Sequence, residues 1–338
     1  VERSALRAGR TGVRALATAA CAALVAAACT GQRSAEPPEP VTISFATIPQ
    51  SALPQIAQAR GFYRQAGLEA TARLHKSGKD ALEDLLAGRS EFAAVAETPV
   101  MLAILKGAKI SIVATIQTAS LSHVIVARTD RGIRSLADLR GKRIGAARGA
   151  SSHYFLYAAL LASGIAWSEI QFVDLPVEKV PEALAKGELD AGSTVTPYSY
   201  EAQRLLGDLG VMLRDQNMYR YNFVVVAPQQ YLRDHPSAAR RLLAALIEAE
   251  AFVRDHRAEA QEILRSSTGM EVAQLQDTWA DARLSVTLDQ SLLLALEDGS
   301  RWAMKGGLVP PRPIPDFREF VYLEGLRSLR PEAVRLVK

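Results

Sequence analysis

Gly149-Ala150-Ser151-Ser152-His153 places two hydroxyls and an imidazole where an apolar segment, residues 143–146, gives way to a helical pattern running to Ser163. A helix start presents unpaired N–H groups and a partial positive charge, so this segment has the means to hold an anion. Ser151 or Ser152 would add a hydroxyl and His153 a donor. A serine here also suits a helix that needs only an N-cap, and both roles stay open. Gln50 and Ser51 open the helix after the first expected strand, as contacts or as a turn behind Pro49. Thr98 and Thr196 each precede a proline and read as contacts or caps. Gln117, Thr118 and Ser122 end a strand in polar form. Tyr198, Tyr219, Tyr221 and Asn222 offer rings and an amide, although a lone tyrosine more often sits in a core or at a rim. Arg148 could pair bidentately with an acid, or be a solvated loop charge; it ranks below Ser152. His75 and His123 lack partners at metal-ligand spacing, and HExxH, Walker and GxSxG patterns are absent. No catalytic group, metal or cofactor is expected.

The elements that must position these residues alternate. Strands are expected over 41–46, 69–74, 92–95, 110–116, 124–127, 143–146, 170–173, 191–195 and 222–227, the last convincing one. Helices are expected over 53–65, 79–87, 98–106, 136–139, 152–163 and 180–186, then 236–255, 258–266, 272–280 and 290–305. Short apolar runs between amphipathic helices predict an α/β sheet covered on both faces. Residues 110–127 form a long uncharged stretch, but Gln117, Ser120, Ser122 and His123 are too polar for lipid. Two buried strands joined by a polar loop fit it better. An internal echo links the two halves. Leu85-Leu86-Ala87-Gly88 leads to Glu91, a small-residue strand and Thr98-Pro99; Leu184-Ala185-Lys186-Gly187 leads to Asp190, a similar strand and Thr196-Pro197. The glycines suit helix C-caps, and the pairing predicts two similar lobes with Thr-Pro loops at strand C-terminal ends, where open α/β sheets bind ligands.

The first residues address the chain. Arg3, Arg7, Arg10 and Arg14 precede an uncharged run that ends in Ala26-Ala27-Ala28-Cys29. Basic start, apolar middle and small-residue end are the parts of a secretory signal. The run is shorter than the ~20 residues of a spanning helix. Cys29 at the cleavage point resembles the lipobox of bacterial lipoproteins, which implies residues 1–28 as signal and a lipid on Cys29; an incidental cysteine in an ordinary signal is the plainer alternative. Residues 29–40 then form a proline-rich tether. The whole chain has 40 Lys+Arg against 36 Asp+Glu. Residues 1–28 hold four arginines and one glutamate, so the remainder carries 36 against 35, about +1, with no basic tract suited to nucleic acid. Cys21 lies inside the signal, so Cys29 would be the one mature cysteine, excluding an internal disulfide or a cysteine nucleophile.

Ala46…Pro49…Pro54, Gly61-Phe62-Tyr63…Ala66-Gly67-Leu68, Ser77-Gly78, Gly88…Glu91 and Ala96…Thr98-Pro99 follow in order. Ile133…Ser135-Leu136…Asp138-Leu139-Arg140-Gly141-Lys142-Arg143-Ile144-Gly145 and Gly187…Asp190-Ala191 come after them. Over roughly residues 41–308 this resembles the extracytoplasmic solute-binding proteins of ABC importers, in the nitrate/sulfonate/taurine and thiamine-precursor family. The resemblance implies a two-lobed periplasmic-binding-protein-like fold of type II, with a ligand cleft between lobes that close by hinge motion. Residues 41–127 plus 228–338 would form one lobe and 128–227 the other, with crossings near 124–129 and 224–229. With the lipobox at Cys29, it implies a monomeric, membrane-anchored lipoprotein on the outer side of the cytoplasmic membrane, passing a small anionic solute to an ABC permease, with the ligand's acidic group at the Ser151/Ser152 helix start.

Two other classes share the fold. A pyrimidine synthase carries a cysteine-rich metal motif that this chain lacks, and LysR-type regulators add a helix-turn-helix domain for which the region before residue 41 has no room. Within the binding-protein class, a neutral pyrimidine-like ligand is the alternative that the tyrosines suit.

Overall fold

The computed structural model describes residues 37–337. Cys29, the signal over 1–28 and residues 29–36 of the tether lie outside the described residues. The strands are, in chain order, β1 (Glu39–Ala46), β2 (Leu68–His75), β3 (Phe92–Ala96), β4 (Ile110–Ala119), β5 (His123–Arg128), β6 (Arg143–Ala146), β7 (Gln171–Asp174), β8 (Ala191–Val195), β9 (Gly210–Leu213), β10 (Tyr221–Pro228), β11 (Arg283–Asp289) and β12 (Val334–Arg335). They form a seven-stranded sheet, β12-β11-β4-β10-β3-β1-β2, and a five-stranded sheet, β7-β6-β8-β5-β9. Glu39 and Pro40, expected in the tether, already pair with Leu68 and Glu69.

The two sheets repeat one plan. In the first, β2, β1 and β3 run parallel and β10 is antiparallel between β3 and β4. In the second, β7, β6 and β8 run parallel and β5 is antiparallel between β8 and β9. The echo therefore falls on β3 and β8, which hold the same place in their sheets. Central strands covered on both faces read as continuous apolar runs; Phe92 to Ala96 are all buried, as are Val124 to Ala127.

The crossings are displaced from the expected positions. β5 belongs to the second sheet and β10 to the first, so the chain passes between lobes over residues 120–122 and 214–220. Each antiparallel strand lies wholly within the lobe it enters, because its ladder partners are on both sides there. The Asp281 carboxylate fixes the first crossing, accepting from the Ser120 and Leu121 N–H groups at 2.5 and 2.9 Å. Residues 110–127 are two buried strands and a polar loop, as their composition predicted.

Other departures have local causes. The helix expected over 53–65 splits into Ala52–Ala59 and Phe62–Gln65 at Gly61, whose φ of +70° ends the first helix. β11 follows the expected last strand; its Leu284, Val286 and Leu288 alternate with polar residues, the period of a strand with one covered face. The helix Pro236–Asp255 buries Ala238, Leu242, Ala245, Ala249, Phe252 and Val253 at helical spacing and packs on helix Ala52–Ala59 and β11. Among the described residues, no helix is long and apolar enough to cross a membrane.

Helix Val180–Ala185 lies so close to β8 that a Cβ on Gly192 would stand 2.3 Å from Val180 Cγ1. Val180 is β-branched and fully buried, so it has little room to yield. Gly192→Ala should therefore cost ~1–3 kcal/mol by overpacking. Urea unfolding of the two chains checks this, the expected result being a lower midpoint at unchanged m.

Candidate functional site

The C-terminal ends of the parallel strands in both sheets meet at one inter-lobe cavity. β1 ends in the turn carrying Ile48 and Gln50, β3 in Ala96 and Pro99, β6 in the loop to Ala150, Ser151 and Ser152, and β8 in Val195. Residues 76–79 follow β2 and Val177 follows β7, while His123, Tyr221 and Phe223 come from the starts of β5 and β10. The cavity measures about 50 Å³, room for a few water molecules or a compact head group.

Three helices begin at this wall: Gly78–Leu86, Glu97–Leu105 and Ser151–Ala162. The first is closed by a reciprocal cap, with Asp80 N–H donating to Ser77 Oγ and Ser77 N–H to Asp80, both at 3.2 Å. The second and third have no side-chain cap, and in the third the His153 N–H already donates to the Ala150 carbonyl at 3.1 Å, which leaves the Ser151 and Ser152 N–H groups. Lys76 and Lys79 are among the lining residues, and no carboxylate is.

The polar groups divide into those already paired and those left over. Gln117 lies beneath the β1 turn: its amide nitrogen donates to the Pro49 and Gln50 carbonyls at 3.3 and 3.2 Å, and its oxygen accepts from the Tyr221 hydroxyl at 2.8 Å. It positions Gln50 without lining the cavity. The Gln50 amide has no partner on either atom, and the Ser152 and Ser51 hydroxyls have none, although all three residues are buried. Buried polar groups are ordinarily satisfied. Gln50 and Ser152 line the cavity from opposite lobes. Ser151 Oγ lies 2.8 Å from His123 Nε2.

His123 is wedged among Phe155, Tyr219 and Tyr221. Burial pushes its pKa down to about 3, so it lines the cavity as a neutral imidazole. Glu97 lies behind the wall, accepting from the Tyr219 hydroxyl and, at 2.9 Å, from the Asn222 N–H. Burial raises its pKa to about 7, and these hydrogen bonds oppose the rise.

Of the expected contacts, Gln50, Ser151, Ser152 and Tyr221 line the cavity. The others do not. Ser51 is buried in the turn behind Gln50. Thr98 Oγ1 is 3.2 Å from the Tyr219 hydroxyl, and the Asn222 backbone is spent on Glu97. Thr196 is buried, its N–H donating to the Ser122 carbonyl at 3.3 Å. The Tyr198 hydroxyl donates to the Lys76 carbonyl at 2.7 Å, linking the lobes beside the cavity. His153 turns elsewhere: its Nδ1 accepts from the Gly149 N–H at 3.2 Å and its ring stacks on Phe172. Arg148 is a loop charge paired with Asp174 at 3.1 Å and set over Phe172. Sequence reasoning passed over the Lys76-Ser77-Gly78-Lys79 turn as a contact; the Ser77…Asp80 spacing was its available signal. Phe223 carried no signal, since its neighbours in β10 are equally apolar.

A family model described as NMT1/THI5 like matches residues 49–260. A Brucella abortus (strain 2308) protein named as a binding protein is 25% identical over 248 residues, 72% of this chain and 76% of that one. An Escherichia coli (strain K12) protein named as an aliphatic sulfonates-binding protein is 26% identical over 194 residues, 57% of this chain and 60% of that one. Among solved structures, the alkanesulfonate-binding protein of Xanthomonas axonopodis pv. citri, bound to MOPS, aligns with a TM-score of 0.73 at 21% identity, over 85% of this chain and 99% of that one. A desulfurization enzyme aligns with a TM-score of 0.64 at 18% identity, over 86% and 98%. At these identities the structural likeness establishes the two-lobed fold alone.

Glu97 gives a pH signature. Its pKa is higher folded than unfolded, so its stabilising contribution is full below about pH 4.5 and is lost as pH rises through about 7. His123 and His153, whose pKa values burial depresses to about 3 and about 4, act oppositely as pH falls below 6.5. The Glu97 effect is therefore read as a difference. Relative to Glu97→Gln, the wild-type chain should lose urea resistance between pH 4.5 and 7; a constant offset across that window would exclude it.

Proposed function

The chain belongs to the NMT1/THI5-like family, and from that premise we propose that it is the solute-binding component of an ABC importer. In this reading it acts as a monomer, held by a lipid on Cys29 at the outer side of the cytoplasmic membrane. It captures a small anion of the sulfonate or nitrate type by closing its two lobes, and hands it to a permease. One observation carries this: three helix starts and the unpartnered Gln50 and Ser152 converge on one inter-lobe cavity without a lining carboxylate. Helix N-termini and oriented N–H groups hold anions without arginine. The sulfonate-binding name of the 26% identical relative supports the ligand class. Because ligand contacts come from both lobes, a bound solute favours the closed arrangement.

Two alternatives are separable in the same experiments. His123, Tyr221 and Phe223 would also flank a planar neutral ring. The desulfurization enzyme of the same fold raises catalysis; against it, residues 30–338 contain no cysteine to act as nucleophile, and His123 is spent inside an aromatic cluster.

Thermal-shift titration of the mature chain with alkanesulfonates, nitrate and pyrimidines tests the reading. A true ligand at a hundredfold over its Kd should stabilise by ~2.7 kcal/mol and should be recovered chemically unchanged; a converted ligand would establish an enzyme. Ser152→Ala should weaken binding by ~1–3 kcal/mol, whereas unchanged affinity with lower stability would reduce Ser152 to a cap. Cys29→Ala should release the protein from membranes, measured by fractionation with and without detergent.

A further inference from the structure

His153, one residue beyond Ser152, faces a different space. A second cleft of about 330 Å³ lies beside the helix Ser151–Ala162. On one side are Arg148, His153, Tyr157 and Trp167; on the other are Trp302 and Lys305 of helix Gln290–Lys305. The latter helix packs on helix Glu97–Leu105 of the first lobe, so this cleft too has walls from both lobes.

Its chemistry differs from that of the main cavity. Trp167 and Trp302 each stand 5.1 Å from the His153 ring, both edge-on, and Tyr157 flanks Trp302 at 6.2 Å. These are walls for a flat ring. Because His153 Nδ1 accepts from the Gly149 N–H, its proton is on Nε2, which makes no hydrogen bond among the described residues. That leaves one N–H donor of the cleft lining without a protein acceptor. At the rim, Lys305 has no ion-pair partner among the described residues, Arg148 is shared with Asp174, and the lining contains no carboxylate. The volume is at the lower end of the ~300–1,000 Å³ of small-molecule sites.

We propose that this cleft is a second binding site, specific for a small aromatic carboxylate. The ring lies against Trp167 and Trp302, and the carboxylate accepts from His153 Nε2–H and pairs with Lys305. Such a ligand touches both lobes, so it favours the closed arrangement, and by linkage it and the solute in the main cavity strengthen each other's binding. The site itself does not depend on what the main cavity binds.

The probe is benzoate, with benzyl alcohol as the neutral control, and the readout is intrinsic tryptophan fluorescence of the mature chain. Of the three tryptophans, Trp167 and Trp302 line the cleft, while Trp279 lies outside it. Benzoate should quench saturably and benzyl alcohol at least about tenfold more weakly, the worth of a charge-assisted contact. Lys305→Met, at an exposed position that tolerates change, should weaken benzoate by a similar factor, and His153→Phe likewise if circular dichroism shows it folded. Gln50→Leu should leave benzoate binding unaltered. No saturable quenching, equal affinity for the alcohol, full affinity in Lys305→Met, or loss in Gln50→Leu would each overturn the proposal; the last would place the probe in the main cavity.

Discussion

Each sheet depends on a strand that reaches it from the other lobe. β5 enters the second sheet directly after β4 leaves the first, and β10 returns to the first directly after β9 leaves the second. Each is antiparallel between two partners, so the ladder hydrogen bonds on both its edges are met inside the lobe it enters. The crossings are consequently only a few residues long and end at the cavity. His123 begins β5 and Tyr221 begins β10, and their rings are in contact at 4.9 Å between centroids. The link between lobes is thus also the floor of the site. Movement of one lobe against the other must pass through residues 120–122 and 214–220, where Asp281 holds two consecutive N–H groups.

With that topology in place, the cavity's electrostatics follow from burial. The parallel strands of both sheets point their C-terminal ends inward, and the helices that follow them start there. Charged side chains are confined to the lysines of the 76–79 turn. Burial keeps His123 neutral and lifts Glu97 to a pKa near 7, so the apolar wall around Tyr219 and Tyr221 excludes full charge. Beside the two lysines, the cavity presents dipoles: helix N–H groups, one amide and one hydroxyl.

Much of the architecture was legible in the chain. Strands over 143–146 and 191–195 and the helix over 290–305 match their observed bounds, because each is a run of one pattern with a clear break at either end. The internal echo located equivalent strands. β11 was missed because a half-buried alternating strand amid helices looks like a polar loop, and β9 because a four-residue edge strand carries too little pattern to register. The crossings were placed several residues off for another reason: an apolar strand has the same composition whichever sheet it joins.

The site divides along the same line. Local sequence determined which residue types stand at the helix starts, since N–H groups at a chain reversal and the hydroxyls beside them are set within a few residues. It therefore pointed to Gln50, Ser151 and Ser152, which line the cavity. Only the tertiary structure decided that Gln117 supports Gln50 from beneath, that Tyr198 ties the lobes at Lys76, and that His153 turns from its serine neighbours into a separate aromatic cleft. Those outcomes depend on partners tens to more than a hundred residues away, and side-chain direction on a helix is set by what packs against each face, which no local pattern contains.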